Sequence, residues 1–310
     1  MIKRVFFSLL VLGLVGGTVF YILTQPEQIT VASIPEHQVD LSNGEQMFWA
    51  GGCSSCHAAP GVKGPDKLIL SGGVTLDTPF GVFRVPNISP DKKAGIGSWQ
   101  LVDFLNAMRK GVSPEGEHYY PAFPYTNYQR MPVEDLIDLK AYLDSLPATR
   151  NDVPDHDLTF PFTIRRGLGL WKLFYLDQQP YSYSQSRKGA IERGRYLVEG
   201  PGHCSACHTA RDLFGGEVIA AKYAGAPSFE VKQGENSGSV PNITPHEDGL
   251  ARWSERDIIF AFETGMTPEY DSFGGSMVAV QNNLSKLSPE DRVAMAAYLK
   301  SLPPIASIKP

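Results

Sequence analysis

A mainly α-helical, loop-rich fold is what this 310-residue sequence predicts, built as two copies of one domain behind an N-terminal membrane-spanning helix. Three observations predict it. The chain begins with an uncharged apolar run of nearly bilayer length. Six short landmarks recur in one order about 150 residues apart. The run Cys-x-x-Cys-His occurs once in each copy and consumes all four cysteines.

The composition supports a folded chain. Apolar residues make up 42% and charged residues 20%, so a chain of this length can bury a core. Its 30 glycines and 24 prolines mark it as rich in loops without making it low-complexity. The net charge is −5, and Lys3 and Arg4 precede the apolar run, so the body is more acidic still. That balance argues against nucleic acid as a partner. Four cysteines are too few for a disulfide scaffold of this size.

Val5 to Leu23 is a run of 19 uncharged residues. As a helix it would be about 28 Å long, close to the ~30 Å hydrocarbon core of a bilayer. Lys3 and Arg4 before it place the N-terminus in the cytoplasm and the remainder outside. The run ends in Phe20-Tyr21-Ile22-Leu23 and then Thr24-Gln25-Pro26, with no small-residue cleavage pattern close by; Thr30-Val31-Ala32 lies well back. A retained anchor is expected in preference to a cleaved signal, and either one exports the rest of the chain.

The repeat sets the domains. Gly44 is matched by Gly194, and Cys53-Ser-Ser-Cys56-His57 by Cys204-Ser-Ala-Cys207-His208. Pro86-Asn-Ile88 recurs as Pro241-Asn-Ile243, Trp99 as Trp253, Gly111 as Gly265, and Ala141-Tyr-Leu143 as Ala297-Tyr-Leu299. The expected organisation is an anchor and spacer over 1–39 with its helix at 5–23, a first domain over 40–147, a linker over 148–188, a second domain over 189–303, and a tail over 304–310. Short helices are expected at Gly44–Ala50 and Arg193–Glu199, leading into the two cysteine runs. In Trp99–Lys110, apolar residues at 101, 102, 104, 105 and 108 form a helical stripe closed by Gly111. Trp253–Thr264 is its counterpart, with Ser254-Glu-Arg-Asp257 as a capping box. Glu134–Leu146 and Pro289–Leu302 read as helices ending at proline. Asp77-Thr-Pro-Phe-Gly81 reads as the turn of a small hairpin within Gly72–Val85.

Cys-x-x-Cys-His is the attachment sequence of c-type haem. Cysteines three apart lie close on a helical turn, so both sulfurs reach the vinyl groups of one porphyrin, and the following histidine offers a ring nitrogen to iron. Cys53, Cys56, Cys204 and Cys207 are the expected thioether residues, and His57 and His208 the expected iron ligands. Two covalently bound haems c are expected, each filling the core of a loop-rich domain. A thioredoxin-like pair would sit beside a βαβ pattern, which is missing, and would not require the histidine twice. A four-cysteine zinc site would not space its pairs some 150 residues apart.

Iron needs a second axial ligand or stays open for chemistry. Met277, in the loop Gly274-Gly-Ser-Met277 and 69 residues after His208, is the expected ligand of the second haem. Met131, 74 residues after His57, is expected for the first, although the landmark alignment pairs it with Leu287 and places Tyr120-Pro-Ala-Phe123 opposite Met277. Met108 reads as core. His118, in Glu115-Gly-Glu-His118, is the other candidate and reads better as a solvated loop residue. His203 reads as a surface or propionate-facing residue, and His37, His156 and His246 as solvated.

The chain resembles the c-type cytochrome subunits of bacterial membrane-bound alcohol and aldehyde dehydrogenases and related diheme cytochromes c. Thr78-Pro-Phe-Gly81, Pro86-Asn-Ile88, Gly95-Ile-Gly-Ser-Trp99, Tyr120-Pro-Ala-Phe-Pro-Tyr125, Phe160-Pro-Phe162 with Trp171-Lys-Leu173, and Gly200-Pro-Gly-His-Cys204 carry the resemblance, which spans nearly everything after residue 40. It implies tandem class I cytochrome c-like domains, His/Met haems, a periplasmic position and electron transfer toward the respiratory chain. The alcohol dehydrogenase subunits usually carry three haems, whereas this chain has motifs for two, a departure that leaves the particular dehydrogenase open.

The linker places Arg165, Arg166 and Lys172 among Ile164, Leu168, Leu170, Trp171, Leu173, Phe174 and Leu176, a short amphipathic helix. Packing between the domains is the preferred reading, and contact with a membrane surface or partner subunit the alternative. The function expected is that of an electron carrier in the bacterial inner membrane. It would be held by its single N-terminal helix, with its haem domains in the periplasm. Its partners would be a dehydrogenase and a terminal oxidase or soluble cytochrome. The alternative is a diheme redox enzyme, peroxidase-like or thiosulfate-oxidising, with one open or exchangeable haem site. Against it, the sequence has no fifth cysteine to act as an unusual ligand and no acid/base pair set beside a haem motif.

Overall fold

The computed structural model describes residues 2–227 and 239–308. The chain opens with α1 (Ile2–Leu23), long and apolar enough to cross a membrane and with none of its residues buried. The body follows as α2 (Leu41–Ala50), α3 (Cys53–His57), α4 (Leu101–Lys110), α5 (Tyr125–Tyr128), α6 (Val133–Ser145), α7 (Leu168–Tyr175), α8 (Gly189–Glu199), α9 (Ser205–His208), α10 (Glu255–Thr264), α11 (Met277–Leu284) and α12 (Pro289–Ser301). The fold is mostly helical. Its strands are short: β1 (Thr75–Thr78), β2 (Gly81–Arg84) and β3 (Asp157–Leu158) form one antiparallel sheet, and β4 (Ala226–Pro227) pairs with β5 (Ser239–Val240).

Local chemistry accounts for the helix limits. Ser254 and Asp257 make the expected reciprocal capping box at the start of α10, and Gln100 and Asp103 make the same arrangement at α4. Both helices stop at a glycine in the left-handed region, Gly111 and Gly265. The hairpin forms where Asp77–Gly81 predicts it, with Thr78 paired to Gly81. Its third strand comes from the linker, where Asp157 pairs with Val82.

Two helix pairs carry most of the packing. α2 lies on α6 and α8 on α12. Each pair crosses at a glycine: a Cβ on Gly44 would overlap the Asp138 carbonyl, and one on Gly194 the Ala294 carbonyl. A buried apolar cluster runs between and beneath these helices and includes Met47, Phe48, Leu105, Leu136, Leu197 and Met295. Buried carboxylates tie the pairs together. Asp135, fully buried on α6, accepts from Tyr196 Oη on α8 at 2.6 Å and from Arg187 at 2.7 Å. Each charge removed from water here is answered by a donor, as burial requires.

The linker helix α7 packs against both sides of the body. Its Lys172 is buried and donates to the Lys110 and Gly111 carbonyls, while Trp171 Nε1 donates to the Phe214 carbonyl at 2.9 Å. The expected packing face is present, but Leu173 and Phe174 on the same helix stay exposed.

Candidate haem-attachment sites

α3 and α9 are single helical turns that end at His57 and His208. His57 Nδ1 lies 2.8 Å from the Pro86 carbonyl oxygen and His208 Nδ1 lies 2.7 Å from that of Pro241. A carbonyl only accepts, so each Nδ1 carries the ring proton and each Nε2 keeps its lone pair for a ligand. A second interaction of this kind is what fixes the tautomer and orientation of a metal-binding imidazole. The Pro-Asn-Ile repeat, legible only as a landmark in the sequence, thus orients the histidines.

The backbone closes around each histidine in matching fashion. Gly72 N–H donates to the His57 carbonyl at 2.7 Å and Gly225 N–H to the His208 carbonyl at 2.9 Å. Ile88 N–H donates to the Leu70 carbonyl, and Ile243 N–H to that of Tyr223. Gly72 and Gly225 have φ of +69° and +89°. A Cβ on Gly72 would come within 2.6 Å of the Pro86 oxygen, and one on Gly225 within 2.8 Å of the Val240 oxygen.

Cys53 and Cys204 are half-buried, and Cys56 and Cys207 exposed. Burial, and then the neighbouring thiol, pushes Cys53 and Cys204 up to about 12, so both stay protonated at neutral pH. Burial also raises Cys56, with Cys207 adding to the effect. Burial pushes His57 down to about 4 against the opposing pull of the Pro86 carbonyl, and it lowers His208 in the same way. Both imidazoles are therefore neutral, the form that binds a metal.

Met131 is almost fully buried in the apolar cluster, one residue before the Pro132 cap of α6, and Leu287 takes the matching place before α12. Met277 is half-buried at the first position of α11 and packs against the same cluster, as do Cys53 and Cys204. Met108 is buried core, as expected.

The two attachment turns lie against one another. His203 Nε2 reaches the Gly51 carbonyl at 3.2 Å, and Tyr128 donates to that same oxygen while packing edge-on to His203. Ser54 donates to Asn283 on α11, and Asn127 on α5 donates to Ser205 on α9. Neither asparagine belongs to a motif that marks it as part of the site. Their signal was available, since 127 and 283 stand at the same offset as the two Ala-Tyr-Leu runs.

Several other histidines depart from expectation. His118 is not a solvated loop residue. It is buried, with Nε2 on the Thr24 carbonyl and Nδ1 on Lys172 Nζ, because α7 and the end of α1 close over its loop. His37 is held by Asp138 at 2.9 Å, and His156 accepts from the Arg84 amide between the rings of Phe83 and Tyr120. His246 stays at the surface beside Asp248.

The donor set fits covalent haem. Each turn offers two thiols and one oriented neutral imidazole beside apolar packing. Among the described residues, no group of three or more His, Cys, Asp or Glu side chains is gathered as a protein-only zinc centre would need. The Tyr223 hydroxyl, next to the His208 backbone lattice, is buried and has no protein partner among the described residues, leaving a donor for a polar group of a ligand.

A diheme c-type cytochrome of Cereibacter sphaeroides is 47% identical over 300 residues, which cover 96% of this chain and 97% of that one. The chain belongs to the cytochrome c family. The cytochrome c family model itself matches residues 41–147. The cytochrome subunit of fructose dehydrogenase from Gluconobacter japonicus is 33% identical over 293 residues, and the cytochrome c subunit of quinone alcohol dehydrogenase from Gluconobacter oxydans 32% over 271. These matches cover 94% and 86% of this chain but only 57% and 55% of the two subunits, so the cytochrome spans little more than half their length. With the family come haem c as cofactor and electron transfer as role.

Proposed function

We propose that this cytochrome is a membrane-anchored diheme electron carrier. Its two class I-like domains would be residues 40–147 and 189–303, joined by the linker 148–188. α1 would hold it to the bacterial inner membrane with the body in the periplasm. The observation that carries this reading is the duplicated histidine–proline carbonyl pair, which leaves Nε2 of His57 and of His208 free beside a pair of cysteines.

Haem c, when bound, supplies a one-electron iron couple whose potential follows its axial ligands and burial. The chain's residues supply the rest. Cys53 with Cys56, and Cys204 with Cys207, would tether one haem each. Nε2 of His57 and of His208, and the sulfurs of Met131 and Met277, would hold the irons. The apolar cluster beside both turns keeps water away, which favours the less charged, reduced state. Ser54–Asn283 and Asn127–Ser205 fix each turn to a helix of the other half, and His203–Gly51 joins the segments leading into them; a relay would need its two haems close, because transfer falls steeply with distance.

The names of the relatives point to a dehydrogenase as electron donor; the acceptor would be a terminal oxidase or a soluble cytochrome. A spectroelectrochemical titration of the full chain tests the reading. It should show two one-electron steps between low-spin forms. A stable ferric high-spin fraction with peroxide turnover would favour a diheme enzyme with one open iron instead.

A further inference from the structure

We propose that the protein touches the bilayer at a second place: an apolar collar around the end of α1 that seats on the headgroup boundary of the leaflet from which the helix emerges. The collar consists of Phe160, Ile164, Leu173, Phe174, Leu213 and Phe214. The inference rests on the anchor reading of α1 and adds an orientation to it.

α1 has 22 residues and is about 33 Å long at 1.5 Å per residue, close to the ~30 Å hydrocarbon thickness. Leu23 and Thr24 therefore stand at the hydrocarbon–headgroup boundary, and anything packed on them stands at that level. The linker does pack on them. Arg166 donates to the Tyr21 carbonyl at 2.8 Å and to Thr24 Oγ1 at 2.9 Å, with its guanidinium 4.7 Å from the Tyr21 ring centre. Gly169 lies so close to Thr24 that a Cβ would come within 2.6 Å of its Cα. Leu173 and Leu23 line one cavity.

The exposed apolar residues form one continuous surface. Trp171 holds the Phe214 carbonyl, and Tyr175 Oη holds Asp212 at 2.7 Å, so the 212–214 turn rides on α7. The Phe80 ring meets Phe162 edge-on at 4.8 Å and approaches Gly215, closing the 160–164 segment onto the same surface. Large apolar side chains on this surface are open to solvent: Phe160 at 79%, Phe174 at 81%, Leu213 at 89% and Phe214 at 71%. Such a contiguous patch marks an interaction surface, and its continuity with a fully exposed apolar helix selects lipid as the occupant. Arg166 is held in the seam by Thr24 and Tyr21, and Arg165 beside it is paired with Glu117. Tyr21 on α1 and Trp171 and Tyr175 on α7 are of the residue types that membrane interfaces collect. The collar would fix the tilt of the body, and with it the distance of each haem site from the membrane.

The test uses the full-length holoprotein in nanodiscs of phosphatidylethanolamine and phosphatidylglycerol. Nitroxide labels are placed one at a time at Leu12→Cys in the anchor, Phe174→Cys and Leu213→Cys in the collar, and Glu290→Cys as an exposed reference. Their collision rates with oxygen, which enters lipid, and with a water-soluble nickel chelate are compared. The collar labels should show an oxygen-to-nickel ratio several-fold above the Glu290 label and below the Leu12 label, which stands at mid-bilayer depth. If the Leu12 label is lipid-facing while both collar labels match Glu290, the collar is wrong and the anchor stands. If Leu12 also matches Glu290, the anchor reading has failed and the collar falls with it. If the collar labels are shielded from both reagents, protein covers the surface and the lipid assignment is overturned.

Discussion

Asn283 and Ser54 stand 229 residues apart in the chain and are joined by a buried hydrogen bond of 2.9 Å. The same asparagine donates to Ser55, so it spans both residues between Cys53 and Cys56. Asn127 makes the counterpart bond to Ser205 at 3.0 Å and also holds the Glu199 carbonyl. Each attachment turn is thus fixed by an asparagine from a distant part of the chain, which couples the position of one turn to that of the other.

Removing Asn283 leaves the Ser54 hydroxyl, on a residue only 2% exposed, without its acceptor. Asn283→Ala should cost about 1–3 kcal/mol, the usual penalty for stranding a buried polar group. Urea unfolding of the holoprotein measures it. The double variant Ser54→Ala/Asn283→Ala should recover part of the loss, because neither partner is then left alone. An additive double variant would mean that the bond carries no stability.

Gly72→Ala should impair the first site without touching a cysteine or the histidine. Its methyl would collide with the Pro86 carbonyl, the group that orients His57, and its φ of +69° disfavours any side chain. The haem-to-protein ratio should fall, and the remaining first-site haem should change its midpoint potential. Gly61→Ala has the same backbone sign in open space and serves as the control. Equal effects from both variants would show that backbone strain, not the carbonyl, is responsible.

Met277→Ala and Met131→Ala should each lower one midpoint potential and remove part of the sulfur-to-iron absorption band of the ferric protein, since methionine ligation raises potential. The band and the potential of the other haem should stay unchanged. If Met131→Ala alters neither haem, the thioether in the first half is core filler, as Leu287 is at the matching place.

Stability should depend on pH through Lys172. Its ammonium donates to the Lys110 and Gly111 carbonyls and to His118 Nδ1, yet burial, and then the nearby Lys110, push it from 10.5 down to about 7. The unfolded chain therefore binds more protons between about pH 7 and 10.5, and stability rises with pH across that window. His118 acts with the same sign at lower pH. Burial, and then Lys172 and Arg166, hold it below 6.5 despite the Thr24 carbonyl, so its contribution is present above 6.5 and lost as acid protonates it. Glu27, paired with Lys110, lines the same cavity as Lys172 and His118. Lys172→Met should flatten the rise of the thermal midpoint above pH 7. An unchanged slope would place the pH dependence elsewhere.

Features carried by short-range pattern were legible in the sequence. The capping box at Ser254, the apolar stripe over α4 and the Asp77–Gly81 turn all arise from residues close in the chain. What needed distant partners was not. β3 is two residues long and exists only through pairing with β2, some 75 positions earlier. His118 looked solvated because its partners, Thr24 and Lys172, are 94 and 54 residues away. α5 and α11 are short turns in a proline-flanked and a glycine-rich setting, so neither shows a helical period, and the asparagines they carry were hidden with them.

The most direct test of the account is the intact mass of the mature, denatured protein. The account predicts two haems retained without reducing agent, with peptide fragments placing one on Cys53–Cys56 and the other on Cys204–Cys207. A single adduct, or alkylation of all four thiols in protein from a strain that matures c-type cytochromes, would contradict it.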